Sequence, residues 1–430
     1  MSQLHHALDP RTRVPAWAWL VLFAWAALLL SIGIDRDWRL LHEDNGALHT
    51  SFALAHLEAG LTRTRGHDLF YEPETGSSHF YAHHPSATSL VLATAFRLAG
   101  SADPAVARAT VIGFQLASLA LFVALLRLHF PARIALLGGA IFATLPMSSY
   151  FGRMVNYEPL CLTAVLLQLY GYARLRAHGS RLGAACLALG IVLGGLVDWP
   201  AFFFAAAIGG TEAWAAVRGD RTGGPRFAWI AALATATLAI DLAHLALAAG
   251  SLRGIFEAAL SERPTAPATI ASFLAAEREH GLAYLGRSAL VASVLLAVAL
   301  ATGRGPLASV RREAAHPEVL SQWLGAAGIA AVSYLLAAPS WAIVHAYWGF
   351  YSLPFVATGL ALLVVVLTER IRNDRGAWIA AALLAVVGLD VANTSFRTLR
   401  KRHTQVEEYT VQATRELRAR YLAPRTGGAR

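Results

Sequence analysis

Residues 41–60 read LHEDNGALHTSFALAHLEAG, and the polar segment they open closes at residues 79–85 with HFYAHHP. Between them stand six acids, Glu43, Asp44, Glu58, Asp68, Glu72 and Glu74. Seven histidines share the segment: His42, His49, His56, His67, His79, His83 and His84. The flanking chain is hydrocarbon-like, and residues 14–34 form an apolar run before it without a single charge. About 20 apolar residues are enough to cross a bilayer. A long polar loop directly after a first span is a place for chemistry at a membrane surface. Glu43-Asp44 is its leading acid pair.

The composition agrees. Of 430 residues, 56% are hydrophobic and 15% charged, whereas soluble domains carry about a quarter charged residues. Apolar runs recur along the whole chain without the polar stripe a soluble helix needs. The sequence therefore predicts an all-α, polytopic transmembrane helical protein. Its net charge of +9 gives no basic stripe on a soluble domain, so nucleic acid is not an expected partner. Lys401 is the only lysine among 36 basic residues, so no single arginine marks a phosphate site. Cys161 and Cys186 lie in apolar runs and imply no disulfide framework. No Walker loop, Rossmann fingerprint or zinc-type spacing is present.

The arginines set the topology. After 14–34, spans are expected near 105–126, 132–148, 159–173, 182–197, 199–216, 227–249, 288–302, 320–338, 348–367 and 377–392. The connections RLHFPAR, YARLRAHGSR, VRGDRTGGPR, GRGPLASVRR and TERIRNDRGA hold two or three arginines each. MSSYFGRMVNYEP holds one, and VDWP and PSWAIVHAY hold none. Short arginine-rich connections stay inside, so the acidic and aromatic ones face out. Parity then makes 85–100 a juxtamembrane or re-entrant helix begun by Pro85. About eleven spans result, with an inside start and an outside end. Residues 1–393 form the expected membrane domain, with the first outer loop at 35–104 carrying the active site. Residues 394–430 form a basic tail in which Val406, Thr410, Ala413, Leu417 and Tyr421 share one helical face.

Leu48, Phe52, Ala55 and Ala59 stand at helical spacing before Gly60, a natural stop. They predict an amphipathic helix on the outer membrane surface. Glu43 and Asp44 fall at its amino terminus, where the helix dipole favours negative charge. Asp44 or Asn45 could equally serve as a plain helix cap. Glu158 is the second acid, re-entering the membrane with Arg153, Asn156 and Tyr157 nearby. His345 sits in an aromatic outer loop with Tyr347. Asp198 and Asp241 read either as functional carboxylates or as hydrogen-bonded packing residues.

The order of acid pair, helix, HHP, re-entrant helix, GRMVNYEP and HAYWGFYSLP resembles the C-type integral membrane glycosyltransferases. The likeness is to bacterial proteins related to protein O-mannosyltransferases and the lipid A aminoarabinose transferase. It covers residues 14–175, with the His345 loop as a later anchor. The resemblance implies a sugar moved from a polyprenyl-phosphate donor to a glycan, lipid or protein acceptor. The chemistry would occur at the outer face of a bacterial inner membrane, among membrane lipids. By the same resemblance Asp44 matches the loop-one general base, with Glu43 beside it in inverted order, and Glu158 the second acidic position. Arg63, Arg65 and Arg153 are candidates to neutralise the phosphate. Tyr81, His83, His84, Asn156, His345 and Tyr347 are candidates to hold substrate. The resemblance fixes no cofactor, and a divalent cation stays open. The competing reading is a transporter or flippase relaying protons through Asp198, Asp241 and His345, although no internal repeat supports it.

Overall fold

The segment around Glu43 shows how the chain positions its polar loop. Helix α1 (Ala16–Ser31) ends there, leaving carbonyls without intrahelical partners. Two arginines from distant elements supply the donors. Arg108 donates to the carbonyls of Ile34, at 2.9 Å, and Arg36. Arg153 donates to those of Gly33, at 3.0 Å, and Ile32. Both guanidinium groups meet Glu43, at 3.2 and 3.7 Å. Glu43 also accepts from the backbone N–H groups of Arg39 and Leu40, at 2.8 and 3.0 Å.

These features come from a computed structural model that describes residues 14–40, 42–71, 78–255, 269–372, 377–404, 406 and 412. Glu72, Glu74, the first thirteen residues and most of the proposed tail helix lie outside the described residues.

Glu43 leads into α2 (Asp44–Thr64), whose backbone breaks at Gly60 with φ 77° and ψ 159°. Glycine enters that region without a Cβ clash, which fits the expected stop. The surface placement of α2 does not hold. Phe52 and Ala55 are buried as expected, but so are His49, Thr50, Ser51 and His56. The first part of the helix, through His56, is packed into protein, whereas Leu57, Glu58 and residues 61–63 remain exposed. Gly46 lets it approach so closely that an added Cβ would lie 2.4 Å from the Trp38 ring.

A short antiparallel hairpin follows, β1 (Leu69–Tyr71) with β2 (Ser78–Phe80). Next comes α3 (Ala87–Ala99), which begins two residues after Pro85. At 13 residues α3 is too short to span, in line with a juxtamembrane or re-entrant segment. A buried polar knot ties these pieces together. His56 contacts Thr64 and Ser89, each at 3.0 Å. Ser89 also donates to the Asp68 carboxylate, and Ser86 accepts from the Asp68 backbone N–H at 3.0 Å.

The frame continues with α4 (Pro104–Arg127), α5 (Ala132–Thr144), α6 (Pro146–Phe151), α7 (Tyr157–His178), α8 (Arg181–Gly195), α9 (Pro200–Val217) and α10 (Gly223–Ala249). Then come α11 (Ile270–Tyr284), α12 (Arg287–Thr302), α13 (Pro306–Arg312), α14 (Pro317–Ala337) and α15 (Pro339–Val344). A 3-10 turn (Ala346–Ser352) leads into α16 (Leu353–Arg372) and α17 (Ala377–Thr404). Proline opens α4, α6, α9, α13, α14 and α15, at positions where its missing N–H costs nothing. Each expected span overlaps a helix, but 132–148 crosses the break between α5 and α6 and 348–367 begins in the 3-10 turn. Among the described residues six helices meet the length and apolarity of a span: α4, α9, α10, α14, residues 346–371 and α17. The pair α11–α12, bent by 115°, would make a seventh. Helix α11 had no counterpart in the sequence reading.

Contacts gather the acidic and aromatic connections at one end of the bundle. His244, near the end of α10, meets the Arg65 carbonyl at 3.1 Å. Ser395 of α17 donates to the Thr144 carbonyl at 3.0 Å. At the other end, the Ala315 N–H donates to the His129 carbonyl at 2.9 Å. Helix α17 runs unbroken past residue 393. The expected domain boundary therefore falls inside a helix, which Asp390 anchors by accepting from the Ser288 N–H at 2.7 Å.

Candidate functional site

A cavity of about 410 Å³ opens at the end of the bundle that holds the polar loop. Four segments wall it. The first is the loop itself, through Asn45, His49, Tyr81, His83 and His84. The start of α7 adds Asn156, Tyr157 and Glu158. The α8–α9 turn adds Asp198 and Trp199, and the α14–α15 region adds Tyr334, Trp341, His345, Tyr347 and Trp348.

Rings set much of the geometry. His49 contacts the Asn156 amide oxygen at 2.8 Å and lies edge-on to Tyr157, with ring centres 4.5 Å apart. His84 stacks on Tyr157 at 4.5 Å, and Tyr81 stacks on His83 at 4.7 Å. His345 lies flat against Trp341 at 5.3 Å. His42 sits edge-on to Tyr347 at 5.1 Å. Burial pushes His42 down to about 3, with His345 adding to it. Burial and then His84 push His345 down to about 4. Burial thus favours the neutral form of both rings.

The acids have separate fates. Glu43 is engaged by two arginines and two backbone N–H groups. Asp44 is the first residue of α2 and takes part in no ion pair among the described residues. Burial raises its carboxyl above the ordinary 3.8. A raised pKa brings a carboxylate closer to the basicity useful for proton abstraction. Asp44 does not itself line the cavity, but its neighbour Asn45 does. Tyr347 faces both residues. Glu158 is 2% exposed, lines the cavity and leaves Oε2 without a hydrogen bond.

Of the substrate-binding candidates, Tyr81, His83, His84, Asn156, His345 and Tyr347 line the cavity. Arg63 and Arg65 are exposed near the end of α2 and do not line it. Arg153 is buried against Glu43 and the end of α1. Neither of its neighbours in sequence foretold that pairing, which spans more than a hundred residues. Asp198, weighed in the sequence as either a functional or a packing carboxylate, stands on the cavity wall, whereas Asp241 does not. The only sequence signal for Asp198 was its place in a short outer turn. Among the described residues no group of three His, Cys, Asp or Glu side chains is arranged to hold a metal ion.

The sequence matches no protein-family model and no curated protein. Solved structures do match. The crystal structure of ArnT from Cupriavidus metallidurans bound to undecaprenyl phosphate aligns with TM-score 0.57 at 14% identity. That alignment covers 94% of this chain and 78% of the other. The apo oligosaccharyltransferase of Archaeoglobus fulgidus aligns with TM-score 0.60 at 12% identity, covering 91% of this chain. The same enzyme tethered to an acceptor peptide aligns with TM-score 0.54 at 13% identity, covering 93% of this chain. In those two alignments this chain spans only 56% and 55% of the longer enzyme. Over nearly its whole length, then, the chain shares the fold of these structures.

Proposed function

We propose that this protein is a membrane glycosyltransferase that moves a sugar from a polyprenyl-phosphate donor to an acceptor at the extracytoplasmic face. One observation carries the reading. The polar cavity shares a wall with an apolar groove of about 790 Å³. The shared wall is the second half of α14 and the 3-10 turn, with Tyr334 and Trp348 on the cavity side and Ser333 and Gly349 on the groove side. Leu290, Leu300, Ile329, Val332 and Phe355 line the groove. Such a pair of spaces suits a substrate with a polar head and a long hydrocarbon tail. The undecaprenyl phosphate bound in the similar ArnT structure supports the same class of donor. The arginine-rich connections lie at the other end of the bundle, which supports an outward-facing cavity.

In this reading Asp44 is the general base, removing the acceptor's proton as its oxygen attacks the sugar's anomeric carbon. Glu158 positions the acceptor or the sugar through its unpartnered oxygen. Asn156, Tyr81 and Tyr347 offer hydrogen bonds to hydroxyls, and Trp341 and Trp348 offer flat faces to a sugar ring. Arg153 has a structural task, so phosphate recognition passes to the histidines of the cavity. The test is release of polyprenyl phosphate from labelled polyprenyl-phosphate sugars by the purified protein. Release that depends on Asp44 is expected. Absence of release from every such donor, with the protein folded, would overturn the proposal.

A further inference from the structure

Contacts at the α8–α9 turn fasten the HHP segment more firmly than a packing contact requires. Asp198 is 2% exposed, and its Oδ1 lies 2.9 Å from His84 Nδ1. The same oxygen accepts from the Trp199 N–H at 2.8 Å, and Oδ2 accepts from the Tyr351 hydroxyl at 3.3 Å. The Trp199 indole donates to the His83 carbonyl at 3.0 Å. His84 is thus held at one edge by a carboxylate and on one face by Tyr157. With Nδ1 engaged, Nε2 is the nitrogen left for the cavity. No arginine or lysine among the described residues lines that cavity.

We infer that His84 and Asp198 form a dyad that receives the donor's phosphate. His84 is the phosphate-binding residue, donating from Nε2, and Asp198 is a positioning residue that accepts from its Nδ1–H. The inference rests on the reading of the cavity as a polyprenyl-phosphate sugar site. In the transfer step the bond from anomeric carbon to phosphate oxygen breaks, and its electron pair stays on that oxygen. The acceptor oxygen bonds to the carbon, and its proton passes to Asp44. The Nε2–H of His84 hydrogen-bonds the phosphate oxygen as it gains charge, which stabilises the transition state more than the ground state. The groups facing His84 are Asp198 from the α8–α9 turn, Tyr157 and Glu158 from α7, His49 from α2, His345 before the 3-10 turn, and Tyr81 in its own segment.

The test measures binding of undecaprenyl phosphate to the full chain in lipid nanodiscs. His84→Gln should weaken binding about tenfold or more, as loss of a charge-assisted hydrogen bond does. Asp198→Ala should weaken it to a similar degree, and Asp198→Glu should restore it. In the double variant the two losses should not add, because each removes the same hydrogen-bonded unit. An Asp198→Ala protein that binds like the wild type, or losses that simply add, overturns the dyad in favour of a mechanical clamp. So does a His84→Gln protein that binds like the wild type. A wild type that does not bind undecaprenyl phosphate overturns the donor class itself, and the dyad with it.

Discussion

The first outer loop and the α7–α8 hairpin are both tightly packed, but by opposite means. The loop is held by polar groups brought together from distant parts of the chain. Glu43 meets Arg108 and Arg153, and His56, Asp68 and Ser89 close a buried knot. The hairpin is held by the absence of side chains. A Cβ on Gly171 would lie 2.3 Å from the Leu187 nitrogen, and one on Gly190 would lie 2.7 Å from the Gln168 nitrogen. Between helices in a bilayer the hydrophobic effect adds little, so close backbone approach and interhelical hydrogen bonds carry the association. Gln168 supplies such bonds, donating to the carbonyls of Gly190 and Ala201, each at 3.2 Å. In the loop, the proposed base and the folding contacts lie on different residues, so single substitutions should separate them. In the hairpin every change is a folding change.

The sharpest test of that separation uses adjacent residues. Asp44→Asn should keep the fold and lower turnover by about 10²–10⁴-fold, the usual share of a general base. Because burial raises the Asp44 pKa, the folded state binds this proton more tightly than the unfolded state. Its contribution to stability therefore falls as pH rises from 3.8 through the raised value. The asparagine protein should accordingly be no less stable at neutral pH, by thermal unfolding in detergent. In the wild type, turnover should fall on the acid side as pH drops through that raised pKa. Activity of Asp44→Asn within a few-fold of wild type would rule out Asp44 as the base; it is not the helix cap, since Glu43 holds that position.

Glu43→Gln should behave in the other way. It leaves two buried guanidinium groups short of a counter-charge, and breaking a buried pair costs about 3 kcal/mol or more. Lost stability with normal turnover per folded molecule is the expected pattern. A stable but inactive Glu43→Gln protein would exchange the roles of the two acids.

In the hairpin, Gly190→Leu presses a side chain onto backbone that has no room to move. Overpacking of this kind costs about 1–3 kcal/mol, read as a lower unfolding temperature with no change in the pH profile of turnover. The smallest effect belongs to Ser180, which caps α8 by accepting from the Gly183 N–H at 3.3 Å. Ser180→Ala should cost about 1 kcal/mol and leave turnover unchanged. A loss of turnover there would show that the two regions are coupled.

The frame was largely legible because each span announces itself through composition. The elements missed were those whose signal is short or shared. The hairpin of β1 and β2 has three residues per strand, too few for a pattern of alternation. Helix α11 carries Glu277, Arg278, Glu279 and His280 among its apolar residues, so it reads as neither a span nor a loop. Helix α2 was found, but its surroundings were misjudged. His49 and His56 look like a wet face in sequence and are dry in the fold, where Asn156 meets one nitrogen of His49 and Thr64 and Ser89 meet both of His56.

What the sequence determined by itself was local or cumulative. It set the apolar periodicity of the helices, the prolines that open them, the break at Gly60 and the sorting of arginine-rich from acidic connections. What only the tertiary structure decided was which polar groups meet. Asp198 and His84 are 114 residues apart, and Arg153 and Ile32 are 121 apart. The reason is physical. Burial of hydrocarbon depends on averages over a segment, so it survives without knowledge of neighbours. A buried charge must find its own partner at hydrogen-bond distance, and that partner is fixed only when the helices are packed.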